Sequence, residues 1–147
     1  MKRHKKNYSA TEFIINARTL INTPYKHQGR VAQKELDCIG LIIVAGKLTG
    51  VLPANFDFKN YSRIPDGSLE RELDKHLIEL YKLQIGAIAL FKVSALPHHC
   101  GIITDYGEEL GLLHAYENVG RVKEHALIPW WRSKIVKIYG FALCDYG

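Results

Sequence analysis

The sequence predicts one α+β domain in which N-terminal helices pack on an antiparallel β-sheet. Two observations lead to this fold class. Apolar residues recur at helical spacing in the first half of the chain, and short β-branched segments separated by turns fill the second half. Helices followed by a run of adjacent strands are typical of the α+β class, and a length of 147 residues suits a single domain.

The first helix is predicted over about residues 11–21. Ser9 followed three residues later by Glu12 forms a capping-box pattern. Pro24 lies just beyond the segment and is typical of a helix end. The apolar residues at helical spacing are Phe13, Ile14, Ala17, Leu20 and Ile21.

The segment 36–46 is the most apolar of the chain. Its β-branched content would also permit a strand. A helix is favoured because Asp37 is a good N-cap residue, Lys47 lies where the last turn would be, and Gly50 supplies a stop. A helix that is apolar on nearly all sides belongs at the centre of a domain. Cys38 would then occupy its first turn.

A third helix is predicted to begin at Ser68, which would cap it, and the hydrophobic pattern then changes from helical to strand-like. The leucine stripe of that helix is Leu69, Leu73, Leu77 and Leu80. The strands, joined by short turns, are predicted over residues 87–93, 101–104, 111–115, 121–124 and 134–143.

Charge and hydropathy limit the partners to be expected. The formal net charge is +5, and much of the excess lies in the first six residues. Such a segment can attract a polyanion, but a solvated, flexible tail over residues 1–8 is the favoured interpretation. No aromatic residues interleave with a basic stripe, so nucleic acid is not expected as a partner. No apolar run approaches membrane-spanning length, so membrane insertion is not expected either.

The cysteines indicate a reducing compartment. Cys38, Cys100 and Cys144 lack the paired spacing of a disulfide framework. The basic N-terminal segment is not followed by the apolar region of a secretory signal peptide. We therefore expect a chain made in the cytoplasm without a signal peptide, which something else must carry if it works outside the cell.

Cys38 is the strongest candidate for a catalytic residue. At a helix N-terminus a thiol meets partial positive charge and free N–H groups, which favour the thiolate and can hold an oxyanion. Most buried free cysteines are inert, so this position alone is weak evidence. A hairpin through residues 105–107 would bring His99 and His114 side by side. They would then supply a base and the group that orients it.

A zinc site is the alternative interpretation of the same histidines. His98, His99, Cys100, His114 and His125 are all zinc-compatible. However, no Cys-x-x-Cys or His-x-x-x-His spacing occurs, and Cys100 should face away from His99. We expect no metal and no other cofactor. Cys100 and Cys144 are interpreted as core or bystander thiols, and the histidines expected on the surface or in loops are His4, His27, His76 and His125.

Taken in order, these segments resemble the motifs of the NlpC-type cell-wall peptidases, which are papain-like cysteine peptidases. The resemblance covers residues 23–143. Leu36-Asp37-Cys38-Ile39-Gly40-Leu41 is similar to the Asp-Cys-Ser-Gly-Leu nucleophile motif. Further matches are Pro24-Tyr25-Lys26-His27-Gln28-Gly29 to a Pro-Tyr-x-x-Gly-Gly loop, His99-Cys100-Gly101-Ile102-Ile103 to a His-Val-Gly-Ile-Tyr strand, Leu113-His114-Ala115 to Ile-His-Ala, and Gly120-Arg121-Val122 to a Gly-x-Val turn.

The resemblance implies a papain-like fold with the nucleophile at the start of a central helix, and it implies roles for five residues. Cys38 would attack the substrate carbonyl, His99 would take the thiol proton, and His114 would hold His99 in the required tautomer. Tyr25 would help to bind the substrate or the oxyanion. Asp37 would either cap the helix or contact the amino group of the substrate, with capping favoured.

The resemblance extends to phage tail-associated members of this family. It implies bacterial peptidoglycan as the substrate, usually cut between D-γ-glutamyl and the diamino acid of the stem peptide. Phage tail proteins would be partners, and a virion tail would deliver the enzyme to the cell wall. The segments that carry this extension are Gln28-Gly29-Arg30, Tyr61-Ser62-Arg63-Ile64-Pro65-Asp66-Gly67 and Trp130-Trp131-Arg132.

Three positions depart from the family pattern. Ile39 replaces the usual serine, Ala87 replaces the aspartate of a Gly-Asp pair, and His27 replaces the usual tryptophan. The first departure leaves the preferred bond open. Another amidase or acyl-transfer reaction on the same fold, or a tail-assembly role that does not require catalysis, therefore remain alternatives.

Overall fold

The computed structural model describes residues 8–146. Of the tail predicted over residues 1–8, only Tyr8 falls within this range, and it lies in a short strand paired with Cys144 rather than in a tail. The helices are α1 (Ala10–Arg18), α2 (Cys38–Thr49), α3 (Ser68–His76) and α4 (Pro129–Ser133). The strands are β1 (Tyr8–Ser9), β2 (Arg30–Val31), β3 (Glu35–Leu36), β4 (Ile78–Leu80), β5 (Ile88–Phe91), β6 (His99–Tyr106), β7 (Glu109–Tyr116), β8 (Arg121–Ala126), β9 (Ile135–Gly140) and β10 (Cys144–Asp145).

An antiparallel sheet forms one layer of the molecule, and the predicted α+β class is confirmed. Its six strands lie in the order β4-β9-β5-β6-β7-β8, and each neighbouring pair is antiparallel. One face carries the main core, which it forms together with α1 and α2. The opposite face carries a smaller cluster in which Phe91, Leu112 and Trp131 are buried. No helix of the described residues is long and apolar enough to cross a membrane.

Helix α1 begins as predicted but ends three residues early. The Ser9 hydroxyl accepts a hydrogen bond from the Glu12 backbone N–H at 3.0 Å. The helix ends at Arg18 instead of residue 21. Asn22 has a φ of 75°, and its N–H donates to the Val122 carbonyl at 2.9 Å. The chain therefore leaves the helix in order to join the edge of the sheet.

Helix α2 has the predicted bounds and caps. The Asp37 side chain accepts from the Gly40 N–H at 2.7 Å, and Gly50 follows the last turn with a φ of 95°. Nearly all of the helix is buried. Its first turn lies directly on the backbone of Gly29, because a Cβ added at Gly40 would overlap the Gly29 carbonyl oxygen. The absence of a side chain at Gly40 therefore lets the first turn of α2 touch the loop at Gly29, and Gly29 in turn leaves room for the backbone of Glu35 and Leu36.

Helix α3 differs from the prediction at both ends. Gly67, with a φ of 86°, occupies the N-cap position, and Ser68 is the first helical residue. The Ser68 hydroxyl instead bonds with the Asp66 carboxylate and accepts from the Ser62 N–H at 2.8 Å. The predicted stripe breaks after Leu73 because the chain becomes extended at residue 77 and continues as β4, which pairs with β9.

The predicted strands exist with shifted bounds, and several short elements were not predicted. Strands β6 and β7 continue to the pair Tyr106–Glu109, so their turn is tighter than the predicted turn over residues 105–107. The predicted strand over residues 134–143 ends at Gly140 and is followed by the separate strand β10. The unpredicted elements are β1, β2, β3, β4, β10 and α4. Apart from α4, each is a strand of two or three residues stabilised by pairing, β1 with β10, β2 with β3 and β4 with β9.

Candidate active site

A cleft of about 120 Å³ opens where the N-terminus of α2 meets the ends of β6 and β7. It contains Cys38, His99, Tyr25 and Asp37, four of the five residues predicted for the site. The fifth, His114, lies behind His99 and is 1% exposed. The other residues that line the cleft are His27, Tyr61, Ser62, Arg63, Leu69, His98, Ala115, Tyr116, Glu117 and Asn118.

Cys38 is the first residue of α2, and its surroundings favour the thiolate. The pKa of its thiol is lowered, first by a hydrogen bond with Cys100 and then by a hydrogen bond with His99 and the charge of that ring. Burial and the nearby Asp37 carboxylate oppose this shift. The helix dipole acts in the same direction as the hydrogen bonds, because partial positive charge collects at a helix N-terminus.

Cys100 is closer to the chemistry than predicted. Its side chain does face away from His99, but that face of the sheet is the one that packs on α2. It is therefore a core thiol, one of the two predicted alternatives, and it lies in the same core as Cys38, close enough for each thiol to affect the pKa of the other. Burial first, and then the neighbouring Cys38, raise the pKa of the Cys100 thiol well above the ordinary value. Cys100 thus keeps its proton and can donate it in a hydrogen bond to the Cys38 thiolate.

His99 and His114 lie on adjacent strands and are joined by a hydrogen bond. His99 Nε2 and His114 Nδ1 are 2.8 Å apart. The strand residue opposite His114 is Gly101, where an added Cβ would lie 2.9 Å from the His114 Cβ. The glycine therefore makes room for the histidine pair. Their predicted side-by-side placement is confirmed, while their catalytic roles remain predictions.

His125 was predicted to be a surface or loop histidine, and that prediction is wrong. It lies on β8, half-buried, with its Nε2 at 2.8 Å from His114 Nε2. Its Nδ1 is 2.8 Å from the carbonyl oxygen of Ala126. The three imidazoles therefore form one hydrogen-bonded chain that ends on a backbone carbonyl. No short motif signals this residue, because it is joined to His114 only by the register of β7 and β8.

Aromatic side chains enclose the histidine chain. Trp131 packs against His99 and His114 with ring centroids 5.6 and 5.0 Å apart. Tyr116 stacks on His114 at 5.7 Å with an interplanar angle of 15°. Phe91 closes the remaining side of His99 at 5.8 Å. Such packing restricts ring rotation and keeps water from the nitrogens that carry the hydrogen bonds.

His114 is held in the neutral form. Burial first, and then the charges of His99 and His125, lower its pKa far below the ordinary value. A neutral imidazole has one donor and one acceptor nitrogen, so His114 can accept from one neighbouring ring and donate to the other. This is the property that an orienting group in a chain of imidazoles requires.

Tyr25 lies at the edge of the cleft with its backbone tied to the sheet. Its N–H donates to the Gly120 carbonyl at 2.9 Å, so the tyrosine motif and the Gly-x-Val turn are neighbours in space. Burial first, and then the charge of Cys38, raise the pKa of the Tyr25 hydroxyl. The hydroxyl therefore remains a donor beside the thiol.

Asp37 has every acceptor position occupied by the protein itself. One carboxylate oxygen accepts from the Gly40 N–H at 2.7 Å and from Arg30 Nη1 at 3.0 Å. The other accepts from the Gln28 N–H and the Tyr61 hydroxyl, each at 2.7 Å. A carboxylate offers about four lone-pair positions, and all are used here. Between the two roles considered for Asp37, the geometry therefore favours capping over contact with a substrate amine.

Arg30 is the counter-ion of this buried carboxylate, and sequence reasoning gave it no role. Its guanidinium bonds to Asp37, Asp57 and the Tyr61 hydroxyl, at 3.0, 2.9 and 2.6 Å. It also donates to the Gly29 and Phe58 carbonyls. All five guanidinium donors are thus satisfied. The only available signal was its position directly after Gly29 in the loop that resembles the family.

Two departures from the family pattern have different structural consequences. Ile39 is fully buried in the main core and does not line the cleft. His27 does line the cleft and packs edge-on against Tyr61 with ring centroids 5.7 Å apart. The serine-to-isoleucine departure therefore leaves the cleft wall unchanged, whereas His27 alters it.

The zinc-compatible residues do not converge. In the part of the chain that the structure describes, no group of three or more His, Cys, Asp or Glu side chains could hold a metal ion. The nitrogens of His99, His114 and His125 point at one another, whereas a metal site needs lone pairs directed at a common point.

The sequence matches no family model and no curated protein. Solved structures do match. An NlpC/P60 family protein from Bacillus cereus superposes with a TM-score of 0.65 at 17% identity over 93% of this chain and 41% of that protein. A protein similar to lipoprotein, of the NLP/P60 family, from Staphylococcus aureus superposes with a TM-score of 0.61 at 15% identity over 90% of this chain and 41% of that protein. The NlpC/p60 domain of the peptidoglycan hydrolase SagA superposes with a TM-score of 0.60 at 16% identity over 89% of this chain and 97% of that domain.

This chain therefore spans less than half the length of the first two proteins, at 41% of each, and nearly all of the isolated SagA domain, at 97%. At 15–17% identity these likenesses establish the fold. The chain has the fold of the NlpC/P60 domains, a papain-like arrangement with Cys38 at the start of the central helix and His99 on the neighbouring sheet.

Proposed function

We propose that this chain is a cysteine peptidase that hydrolyses bacterial peptidoglycan at the bond between D-γ-glutamyl and the diamino acid of the stem peptide. The observation that carries the proposal is the position of Cys38. It lies at a helix N-terminus, in one cleft with His99, and His99 is hydrogen-bonded to neutral His114. The fold adds support, because one solved structure of this fold is a domain of a peptidoglycan hydrolase.

The reaction needs only the residues of the cleft. The Cys38 proton passes to His99, and the sulfur attacks the peptide carbonyl to form a tetrahedral intermediate. The C–N bond then breaks, the leaving amine takes the proton from His99, and a thioester remains on Cys38. Water, deprotonated by His99, adds to the thioester, and its collapse releases a carboxylate and restores the thiol.

The oxyanion of the intermediate would lie between the N-terminus of α2 and the Tyr25 hydroxyl. The helix contributes N–H groups and the positive end of its dipole. Tyr25 contributes a hydroxyl that stays protonated, because burial raises its pKa. Asp37 supports this arrangement indirectly, since it holds the first turn through the Gly40 N–H.

The charged pair at the mouth of the cleft suits a γ-linked glutamyl residue. Such a residue leaves its α-carboxylate free, and this group needs a cationic partner close to the scissile bond. Arg63 lines the cleft, and its side chain is 66% exposed, with Glu117 as its present ion-pair partner. An exposed ion pair contributes little to stability, about 0–1 kcal/mol, so a substrate carboxylate can replace Glu117 at low cost.

We also propose that the protein acts at the cell wall as part of a phage tail, with tail proteins as partners and delivery by the virion. Support comes from the three segments that resemble tail-associated members, among them Trp130-Trp131-Arg132. A net charge of +5 also suits approach to anionic wall polymers. Mass spectrometry of purified virions from a host that carries this gene tests the association, and absence of the chain from the virions would contradict it.

Digestion of isolated peptidoglycan tests the proposed reaction. The wild-type chain should release new amino groups, and Cys38→Ala should lower the rate by at least about 1,000-fold. Cys144→Ala is the matched control, because it removes a thiol outside the cleft and should leave the rate unchanged. Mass spectrometry of the products identifies the bond. Release from wild type and Cys38→Ala at equal rates would refute thiol catalysis, and products cut at the muramoyl amide would replace the peptidase by an amidase.

A further inference from the structure

We propose that His125 is a positioning residue of this site: it sets the tautomers of His114 and His99, so that His99 presents an unprotonated Nδ1 to Cys38. The proposal rests on the proposed function only in taking Cys38 as the nucleophile. The residue lies on β8, one strand beyond His114 and two beyond His99.

The geometry is a chain of rings with one defined end. His99 Nε2 meets His114 Nδ1, and His114 Nε2 meets His125 Nε2, each at 2.8 Å. His125 Nδ1 then meets the Ala126 carbonyl oxygen, again at 2.8 Å. All three contacts have normal hydrogen-bond lengths, so one nitrogen of each imidazole pair must donate and the other accept.

The carbonyl determines the direction of every bond in this chain. A carbonyl oxygen can only accept, so the neutral His125 imidazole carries its proton on Nδ1 and offers Nε2 as an acceptor. His114 must then donate from Nε2 and accept at Nδ1. His99 in turn must donate from Nε2, which leaves Nδ1 without a proton. That nitrogen is the one available for the Cys38 proton, since Nε2 is already engaged with His114.

Without His125, the two tautomers of His114 would no longer be distinguished by a partner at Nε2. The Nδ1–H tautomer would force His99 to accept at Nε2 and to carry its proton on Nδ1, facing the thiol. In that state the site has no base. Ring rotation offers no simple escape, because Trp131 and Tyr116 pack on His114 with centroids 5.0 and 5.7 Å away.

The same chain stabilises the imidazolium that forms on His99. When His99 takes the thiol proton, its Nε2–H becomes a stronger donor to His114. Bonds directed the same way polarise one another, so His114, His125 and the Ala126 carbonyl together present a larger negative dipole to His99 than His114 alone. Low exposure of His114, at 1%, limits screening of this interaction by water.

Three substitutions at His125 separate this role from a merely structural one. His125→Gln keeps an acceptor for His114, so its rate of Cys38 alkylation should stay within about threefold of the wild-type rate. His125→Leu removes the acceptor, and His125→Lys replaces it with an obligate donor, which selects the wrong tautomer. Both substitutions should lower the rate of Cys38 alkylation by about 10-fold to 100-fold, the usual scale for a partner that orients a reactive group.

The readouts do not require peptidoglycan. The first is the second-order rate of Cys38 alkylation by iodoacetamide at pH 7, located by peptide mass spectrometry. The second is ¹⁵N NMR of the imidazoles, which distinguishes protonated from unprotonated ring nitrogens. This readout is taken in the Cys38→Ala background at pH 9, where no thiol proton can reach His99. There the chain with His125 and the His125→Gln variant should show His99 with an unprotonated Nδ1, and His125→Leu and His125→Lys should lose this signature. Thermal unfolding checks that each variant is folded.

Equal alkylation rates and an unchanged His99 signature in His125→Leu would overturn the proposal. If His125→Lys does not fold, the comparison of leucine with glutamine still decides the matter. The proposed function fails separately, if peptidoglycan digestion is unaffected by Cys38→Ala. A chain that cuts no peptidoglycan but loses Cys38 reactivity with His125→Leu would retain the inference and lose the proposed function.

Discussion

At the scale of single residues, the acidity of Cys38 is the property on which the proposed chemistry depends. Burial alone would raise the pKa of this thiol. Hydrogen bonds with Cys100 and His99 outweigh burial, and the result is a lowered pKa. Cys144 shows the opposite case, because burial is the leading cause that raises its pKa. The buried thiol of Cys38 and the half-buried thiol of Cys144 should therefore differ strongly in reactivity.

Alkylation by iodoacetamide between pH 6 and pH 9 should reveal this difference. A lowered pKa keeps Cys38 as thiolate below the ordinary cysteine value of about 8.5, so its rate should be nearly constant and fall only toward lower pH. The rate of Cys144 should still be rising at the upper end. Peptide mass spectrometry assigns each adduct.

Cys100→Ala provides the control for the cause of the shift. Removal of the hydrogen bond that most favours the thiolate should move the Cys38 profile to higher pH, without a new reactive thiol. Identical pH profiles for Cys38 and Cys144 in the wild-type chain would contradict the assignment of an activated thiolate.

At the scale of elements, the start of α2 is positioned by its contact with the loop that carries Tyr25. The contact has two parts. Gly40 lies on the Gly29 backbone with no room for a side chain. Asp37 bonds to Arg30, which reaches the same loop and the segment beyond α2. The proposed nucleophile Cys38 and the proposed oxyanion donor Tyr25 are therefore placed by one close packing of the start of α2 on this loop.

Gly40→Ala should destabilise the fold by about 1–3 kcal/mol, the range for overpacking a tight interior site. The helix itself gains from alanine, so the sign follows from the contact with Gly29 and not from helix propensity. Leu48→Ala, at a position of the same helix that is 56% exposed, is the control and should change the unfolding free energy by less than about 1 kcal/mol. Urea unfolding measures both.

A Gly40→Ala variant as stable as wild type would mean that the loop moves aside at no cost. Peptidoglycan digestion by the same variant is then informative, because a displaced Tyr25 loop should lower the rate even in a folded protein.

At the scale of the whole molecule, the cleft lies between the helices and the sheet, so their relative position matters. The aromatic rings of Phe13 and Phe141 meet at 5.1 Å in the core. At the surface, Arg18 of α1 bonds to Glu124 of β8 at 2.7 and 2.9 Å and to the Asp105 carbonyl at 2.6 Å. The Glu124 carboxylate also accepts a hydrogen bond from the Thr104 hydroxyl at 2.8 Å.

Arg18→Met should lower the free energy of unfolding by about 1–3 kcal/mol, because it leaves the Glu124 carboxylate, only 10% exposed, without its cation. Asp105→Asn is the matched control. That carboxylate is 60% exposed, so its loss should cost less than about 1 kcal/mol. Chemical denaturation at two salt concentrations measures both, and equal effects of the two substitutions would contradict the distinct role of Glu124.

Local signals were sufficient for part of the fold and of the site. The bounds of α2 could be predicted because Asp37 and Gly50 are adjacent to the helix that they cap. The pairing of His99 with His114 could be predicted because a short hairpin joins their strands. In contrast, α3 was predicted too long, since the pairing of β4 with β9 interrupts a leucine pattern that continues in the sequence.

By itself, the sequence determined the α+β class, the position of Cys38 at a helix start and the order of the candidate catalytic residues, because caps, periodicity and hairpins depend on residues close in the chain. Only the tertiary structure decided the partners of these residues. Arg30 beneath Asp37, Cys100 against Cys38 and His125 behind His114 are identified by packing between elements. Sheet register and helix–sheet contact bring such groups together, and neither leaves a local pattern in the sequence.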